Sequence, residues 1–369
     1  MRFLHAADIH LDSPLSAVAD RGGDMADALV GATRRALTNM VDLAIDRKVD
    51  FVLLAGDLWD GDWKDAHAGL FFVRQAARLH AAGVPVLAVA GNHDAAAGLA
   101  GKLPWPDNVH FFGARKPQTK LLLNGAAAVH GQSFPQAAVT ENLACNYPPR
   151  VAGAFNIGLL HTALEGAADH APYAPCSLAD LRGKGYDYWA LGHVHAARVV
   201  DRDPWIVYPG NLQGRHIRET GPKGCVLVEA ADGQVRSVET LVCDAARWAE
   251  AAVDLTGVAE WDAAFSLVRD RLAAAADQAD GRPVAARVIL AGATALDDRL
   301  RARPGHTEAA VLAAAEQAAA DLWVERVKLR TRPPLAAAEP GVGAGIDLLA
   351  DLAARLADQN GEERAALGR

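Results

Sequence analysis

Apolar residues in this chain gather into short unbroken runs, and several of these runs end on a polar group able to bind a cation. The runs cover residues 2–7, 51–55, 84–90, 155–160 and 188–191. Between them, residues 26–47 place Leu29, Leu37, Met40, Val41, Ala44 and Ile45 at helical spacing, and residues 66–82 repeat the pattern. Apolar runs interleaved with helical stretches predict parallel strands whose carboxyl ends line one crevice. Two hairpin signals follow, each read as a two-residue turn: Asn124-Gly125 within residues 121–129, and Asp232-Gly233 between residues 225–229 and 235–242. An alternating front half and a more hairpin-rich back half predict an α/β fold of two sheets packed face to face, with helices outside.

Beyond Cys243 the pattern changes. Residues 248–255 read as a strand, 260–277 as an alanine-rich helix, 284–290 as a strand, 307–320 as a helix and 322–329 as a strand. That βαβαβ order predicts a smaller C-terminal α/β cap domain. Pro333-Pro334 and then Gly341, Gly343 and Gly345 mark a linker. Residues 346–356 form a short amphipathic helix, either folded back on its own domain or docked to another protein. The expected division is 1–243, 245–333 and 334–369, without a fixed-period repeat.

The chemistry sits where the runs end. The segments are Asp8-Ile9-His10, Gly56-Asp57-Leu58-Trp59-Asp60, Gly91-Asn92-His93-Asp94, Leu160-His161-Thr162 and Gly192-His193-Val194-His195. Together they deliver four His, two Asp and one Asn into one place. No core needs that collection, whereas a pair of divalent cations does. Asp8 and His10 are two apart, so on a continuing strand both would point to the same side; His193 and His195 repeat the arrangement. One cation would take Asp8, His10, His195 and one oxygen of Asp57; the other would take Asn92, His161, His193 and the second oxygen of Asp57. Two cations about 3.5–4 Å apart acidify a shared water and neutralise phosphoryl oxygens during in-line attack. His93 belongs to neither set and is the candidate to contact phosphate or protonate the departing oxygen. Asp60, on the same turn as Asp57, would hold the His93 tautomer and raise its basicity.

Composition narrows the setting. The chain has 369 residues, 51% hydrophobic and 22% charged, which is the globular range and suggests two or three domains. A net charge of −8 and a pI near 5.9 argue against a protein whose whole surface grips nucleic acid. A local basic groove, a partner or the cations would have to offset phosphate charge. Cys145, Cys176, Cys225 and Cys243 are far apart in sequence and form no CxxC pair, as expected of reduced thiols. The start of the chain enters a strand without a signal-peptide core, and no segment approaches the roughly 20 apolar residues that span a bilayer. The expectation is a cytoplasmic protein without membrane contact.

As an ordered set, D-x-H, G-D-x-x-D, G-N-H-D, H and G-H-x-H resemble the calcineurin-like metallophosphoesterases. Within them, Phe3-Leu4-His5-Ala6-Ala7-Asp8-Ile9-His10-Leu11 resembles the SbcD-type DNA repair exonucleases. The segment 208–224, opening Tyr208-Pro209-Gly210-Asn211-Leu212-Gln213-Gly214-Arg215-His216, is similar to their YhaO-like branch. Past residue 245 the resemblance is architectural only, since the family often carries a small capping domain. The resemblance implies that the metal ligands are Asp8, His10, Asp57, Asn92, His161, His193 and His195, and that His93 contacts phosphate. Archaeal and eukaryotic nucleases of the group carry a histidine where this chain has Asp60, and bacterial members often have aspartate. Phosphodiester hydrolysis on DNA is implied, commonly with Mn²⁺, with Fe²⁺, Zn²⁺ or Mg²⁺ as alternatives. The implied partner is an SbcC-like ATPase with a long coiled coil; the sequence is also compatible with a homodimer.

Several residues admit two readings. Arg215, His216, Arg218 and Lys223 make either a solvated loop or a phosphate-backbone contact that positions DNA without reading its sequence. Trp59 and Trp63 either stack on a base or pack in the core. Asp94 either caps the following turn or serves the site. His5 is expected in the packed core or just behind the ligands and not among them, and His67 and His80 are expected to face solvent. Three functions compete: a DNA exonuclease or endonuclease with an ATPase partner, a phosphodiesterase or phosphatase on nucleotides or small esters, and a non-catalytic DNA-end binder. The acidic net charge favours the second, the arginine-rich stretch the first, and the intact ligand set opposes the third.

Overall fold

The computed structural model describes residues 1–13, 29, 31–60, 67–97, 104–164 and 173–334. Trp63, the start of the first expected helix, most of the linker and the expected C-terminal helix lie outside the described residues.

Two six-stranded sheets form the first part of the chain. One runs β12 (Gln234–Val242), β11 (Gly224–Ala231), β1 (Arg2–Ala6), β2 (Phe51–Ala55), β3 (Val86–Val89) and β4 (Val109–Phe111). Strands β1 to β4 are parallel, and the β11–β12 hairpin adds antiparallel to β1. The other runs β5 (Gln118–Leu122), β6 (Ala127–Gly131), β7 (Phe155–His161), β8 (Tyr188–Gly192), β10 (Trp205–Tyr208) and β9 (Arg198–Arg202), with β6, β7, β8 and β10 parallel.

The unbroken apolar runs follow from burial on both faces. Phe51 and Leu53 of β2 point toward Ile157, Leu159 and Tyr188 of the facing sheet. Val52 and Leu54 point the other way, onto helices α1 (Ala32–Asp46) and α2 (His67–Ala81) through Leu37, Met40, Phe72 and Leu79. A short helix α3 (Asn92–Ala97) follows β3, and α4 (Leu178–Gly183) precedes β8, opened by a Ser177–Asp180 capping box.

The third sheet contains three parallel strands, β13 (Arg247–Asp254), β14 (Val284–Ala293) and β15 (Leu322–Arg332). Helices α5 (Trp261–Asp277), α6 (Asp297–Ala302) and α7 (Pro304–Ala318) cover one face, with Val268, Leu272 and Val311 against Val288 and Leu290. The other face meets the first part at Trp248, which packs with Ile217 and donates from Nε1 to the Gly214 carbonyl at 2.9 Å.

Some expectations change in detail. Asp232-Gly233 is a two-residue turn, with both residues left-handed (φ 54° and 73°) between paired Ala231 and Gln234. At Asn124-Gly125, however, the pairing resumes only at Leu122 and Ala127, and Leu123 also turns left-handed. The loop therefore has four residues, tightened by Ala126 N–H donating to Leu123 O. Cys225 and Cys243 come within 3.6 Å as thiols, because the hairpin folds one strand back on the other. Among the described residues no helix is long and apolar enough to cross a membrane.

Candidate metal centre

The parallel strands β1, β2, β3, β7 and β8 end on the same side of the molecule, and each hands its ligand residues to the crevice there. The backbone does not simply continue as strand. Asp8, His10, Asp57 and His193 all adopt positive φ (50°, 44°, 52° and 103°), a conformation that costs non-glycine residues about 1–3 kcal/mol each. The expectation that Asp8 and His10 project from one side of an extended strand is therefore corrected. Strand β1 ends at Ala6, and residues 8–11 curl alongside the β2 loop, with Asp8 N–H bonded to Gly56 O and His10 N–H to Asp57 O, both at 3.0 Å. Glycine permits the close approach: a Cβ on Gly91 would fall against Asp57 Oδ1, and one on Gly192 against Ala55 O.

All seven residues converge. Ligand atoms of Asp8, His10 and His195 lie within 4.8 Å of one another, as do those of Asp57, His161 and His193. Asn92 Oδ1 is 3.1 Å from His161 Nε2. Asp57 lies between the groups, but by one oxygen and not by two. Its Oδ1 accepts the His93 backbone N–H at 2.9 Å, which leaves Oδ2 to face His10 Nε2 at 3.9 Å and His161 Nε2 at 3.5 Å.

Proton bookkeeping shows what fits there. His161 Nδ1 donates to Ala55 O at 2.9 Å, and burial brings its pKa down to about 3. The ring is thus neutral, and Nε2 turns a lone pair toward Asn92 Oδ1 and Asp57 Oδ2, which are acceptors as well. His10, lowered by burial to about 4, donates from Nδ1 to Asp60 Oδ1 at 3.0 Å. Its bare Nε2 lies 3.3 Å from Nε2 of His195, whose Nδ1 hydrogen bonds Glu219 at 2.7 Å. Acceptors facing acceptors at these distances repel unless cations lie among them. A neutral imidazole and carboxylate set of this kind suits a pair of borderline-hard divalent cations.

A second group of residues holds the donors. Burial opposes ionisation of Asp60, but hydrogen bonds from His10, His93 and Ser13 outweigh it and keep the carboxyl well below the usual range. Asp60 Oδ1 lies 2.9 Å from His93 Nδ1, and Oδ2 accepts from Arg215 at 3.0 Å. The Asp60 hydrogen bond raises the His93 pKa against the effect of burial. The His93 side chain is 40% exposed at the crevice rim, edge-on to His10.

Glu219 is a member that sequence reasoning missed. Buried, it accepts from His195, from Asn211 Nδ2 at 2.9 Å and from Arg215 N–H at 2.7 Å; His195 and Arg215 outweigh burial and bring its pKa down to about 2. Its signal is its place four residues after Arg215, inside the basic stretch. Asp94 does more than cap a turn. Its carboxylate accepts the backbone N–H groups of Leu58, Trp59 and Gly91, locking the loops on either side of Asp57.

The basic stretch divides. Arg215 reaches the centre, within 3.5 Å of His195 Nδ1, while His216 is 40% exposed beside Glu219 and Arg218 is exposed. Trp59 does not face substrate: it is buried among Phe72, Trp105 and Phe111, which overturns the stacking reading in favour of packing. His5 is buried between Tyr188 and Leu191 O, and His67 and His80 are exposed.

Comparison with known proteins adds to this geometry. Residues 1–197 match the calcineurin-like phosphoesterase family, and residues 248–332 match the middle domain of metallophosphoesterase YhaO. The metallophosphoesterase YhaO of Bacillus subtilis (strain 168) is 37% identical over 323 residues, 86% of this chain and 78% of that protein. The DNA double-strand break repair protein Mre11 of Sulfurisphaera tokodaii is 28% identical over 261 residues, 66% of this chain and 63% of its own length. Among solved structures, TT1561 of Thermus thermophilus aligns with 66% of this chain and 98% of its own at 15% identity and a TM-score of 0.40.

Proposed function

The chain belongs to the calcineurin-like phosphoesterase family, whose members are phosphoester hydrolases with a dimetal site, and we propose that its substrate is the phosphodiester backbone of DNA. The observation that carries this reading is the course of the basic stretch. Arg215 stands against Asp60 and His195 at the centre, and Arg218, three residues further along the same stretch, is exposed. A planar guanidinium matches phosphate oxygens in a way a point charge does not. The names of the more distant relatives, DNA double-strand break repair proteins, agree with that choice.

Bound cations would supply the charge that neutralises phosphoryl oxygens and lowers the pKa of an attacking water. Asp8, His10 and His195 would hold one, and Asn92, His161 and His193 the other, with Asp57 Oδ2 facing both. Three hydrogen bonds fix the imidazoles so that each presents Nε2: Ala55 O to His161, Asp60 to His10, and Glu219 to His195. His93 turns the ring nitrogen not held by Asp60 toward the rim, where it meets the scissile phosphate and hands a proton to the departing oxygen. Asp60 positions it. Arg215 draws the substrate phosphate to the centre.

The cation we assign is Mn²⁺, with Fe²⁺ or Zn²⁺ next, on the mixed imidazole and carboxylate set. An SbcC-like coiled-coil ATPase as partner and a cytoplasmic setting complete the proposal; the free thiols support the latter. Hydrolysis of nucleotides or other small phosphate esters is the competing reading, favoured by the net charge of −8. Labelled single- and double-stranded DNA with Mn²⁺, run against bis(p-nitrophenyl) phosphate, separates the two. Cleavage of DNA is expected, and turnover of the small ester alone would refute the DNA reading.

A further inference from the structure

The stretch that carries Arg215 and Glu219 is tied at both ends to one residue of the third sheet. Trp248, buried near the start of β13, donates from Nε1 to Gly214 O at 2.9 Å, and its own carbonyl accepts the Gly221 N–H at 3.4 Å. Between those ties Ile217 packs with the indole and with Ala285 of β14. The approach is close: a Cβ on Gly214 would fall 2.7 Å from Glu219 O and 3.1 Å from Trp248 Cδ1. Both ends and the middle of 214–221 therefore meet a single side chain or its own backbone. Next to it, Gln213 makes a second seam, its Oε1 accepting the Ala245 N–H at 2.8 Å and its Nε2 donating to Ala246 O at 2.7 Å. Asp244 Oδ2 makes a third, accepting from Lys223 N–H at 3.2 Å and from Arg247 of β13 at 3.0 Å.

The inner side of the same stretch belongs to the metal centre. Arg215 reaches Asp60 Oδ2 at 3.0 Å, and Glu219 holds His195 Nδ1 at 2.7 Å. The two are also bound to each other, through the Arg215 N–H and Glu219 Oε2 at 2.7 Å. Arg215 directly follows the tie at Gly214, and Glu219 stands two residues before the tie at Gly221. Consecutive Cα atoms lie about 3.8 Å apart, so little chain is left to absorb a shift at either tie.

We propose that Trp248 is a positioning residue of the metal centre: by fixing both ends of 214–221 it sets where Arg215 and Glu219 stand, and through them the Asp60 and His195 side chains. The inference rests on the metal-centre reading above. It gives the third sheet a part in the chemistry without contact with the reacting atoms. Glu219 keeps the His195 ring turned so that Nε2 faces the cation position, and Trp248 keeps Glu219 in place to do so.

Two variants approach the contact from opposite sides. W248F keeps an aromatic ring and removes the Nε1 donor; I217A removes the apolar anchor on the loop and touches no strand. Hydrogen exchange on the metal-free full chain should show the amides of Arg215, Glu219 and Gly221 exchanging about tenfold faster in each variant, the worth of one net hydrogen bond, while those of β14 stay as in the wild type. Calorimetric titration with Mn²⁺ should show binding weakened by about tenfold, the lower end of what losing a ligand's support costs. Wild-type Mn²⁺ affinity in both variants would overturn the proposal even with the loop loosened, because Arg215 and Glu219 would then hold their places unaided. Exchange that rises equally across β13, β14 and β15 with Mn²⁺ binding unmoved would reduce Trp248 to a packing residue and overturn it as well. Neither measurement uses a substrate. Failure of the wild-type chain to cleave any phosphate ester would therefore end the functional reading alone, and metal binding and exchange would still decide the role of Trp248.

Discussion

The two-sheet region and the β13–β15 region both set parallel strands side by side, and in both a loop follows each carboxyl end. In the first, the loops after β1, β2 and β8 pass at once through left-handed residues that carry ligands. In the second, β13 ends at Asp254, whose Oδ1 accepts from both the backbone N–H and the hydroxyl of Thr256. Thr294, after β14, donates to Val258 O, and Asp297 bonds both Arg301 and Thr331. Each of these polar groups finds a protein partner. Around Asp57, by contrast, acceptors face acceptors. Parallel strands end in loops in both places, but it is acceptors facing acceptors, held in strained backbone, that make a metal centre.

Breaking the centre itself should have the largest effect. Asp57→Asn removes the charge facing both cation positions and should lower hydrolysis by about 10³-fold, several kcal/mol in the barrier. Steady-state kinetics on the small ester checks it, and a loss below tenfold would contradict the shared role. Next comes His93→Ala, expected to cost about 10²–10⁴-fold in kcat while metal content by elemental analysis stays at the wild-type value. Loss of metal in that variant would place His93 among the ligands instead. Glu219→Gln should cost about 10–100-fold in metal affinity or activity, because His195 and Arg215 lose their common anchor. Its metal titration should shift while the fold, followed by circular dichroism, does not.

The comparison also predicts which region yields to acid. Burial holds His5 and His161 near 3 and His10 near 4 in the folded chain, against 6.5 when unfolded, and all three lie in the two-sheet region. The unfolded chain binds protons first as pH drops, so their contribution is complete above about 6.5 and declines below it. The decline reaches at most about 1.4 kcal/mol per histidine per pH unit, and it is partly offset by Asp94 and Asp8, which burial raises (Asp94 to about 7) so that they take up protons in the folded chain first. Hydrogen exchange on the metal-free chain between pH 7 and 5 should show β1, β2 and β7 losing protection before β13–β15. Equal loss in both would break the contrast. The smallest effect on catalysis belongs to Glu325→Ala, which should destabilise the small region by about 1.5–3 kcal/mol and leave ester hydrolysis intact.

Much of the centre was legible because its ligands follow apolar runs that only doubly buried parallel strands produce. The βαβαβ order after residue 247 was readable because two alanine-rich helical stretches separate three apolar strands, with β13, α5, β14, α7 and β15 close to their expected ranges. What sequence could not show was conformation and satisfaction. Nothing in Asp8-Ile9-His10 announces two left-handed residues, and nothing in Gly56-Asp57 says that the His93 N–H will occupy Oδ1 and leave Oδ2 alone between the imidazoles. Glu219 was hidden because a carboxylate in a basic stretch reads as surface charge until its burial is known. Trp59 was ambiguous because a tryptophan beside a site serves packing and stacking equally well in one dimension.

The claim at the centre of this account is that Asp57 Oδ2 serves two cations together. An anomalous-scattering map from a Mn²⁺-soaked crystal tests it most directly. It should show two peaks about 3.5–4 Å apart, both bounded by Oδ2, with Oδ1 still on the His93 N–H. A single peak, or two peaks of which Asp57 touches only one, would contradict it.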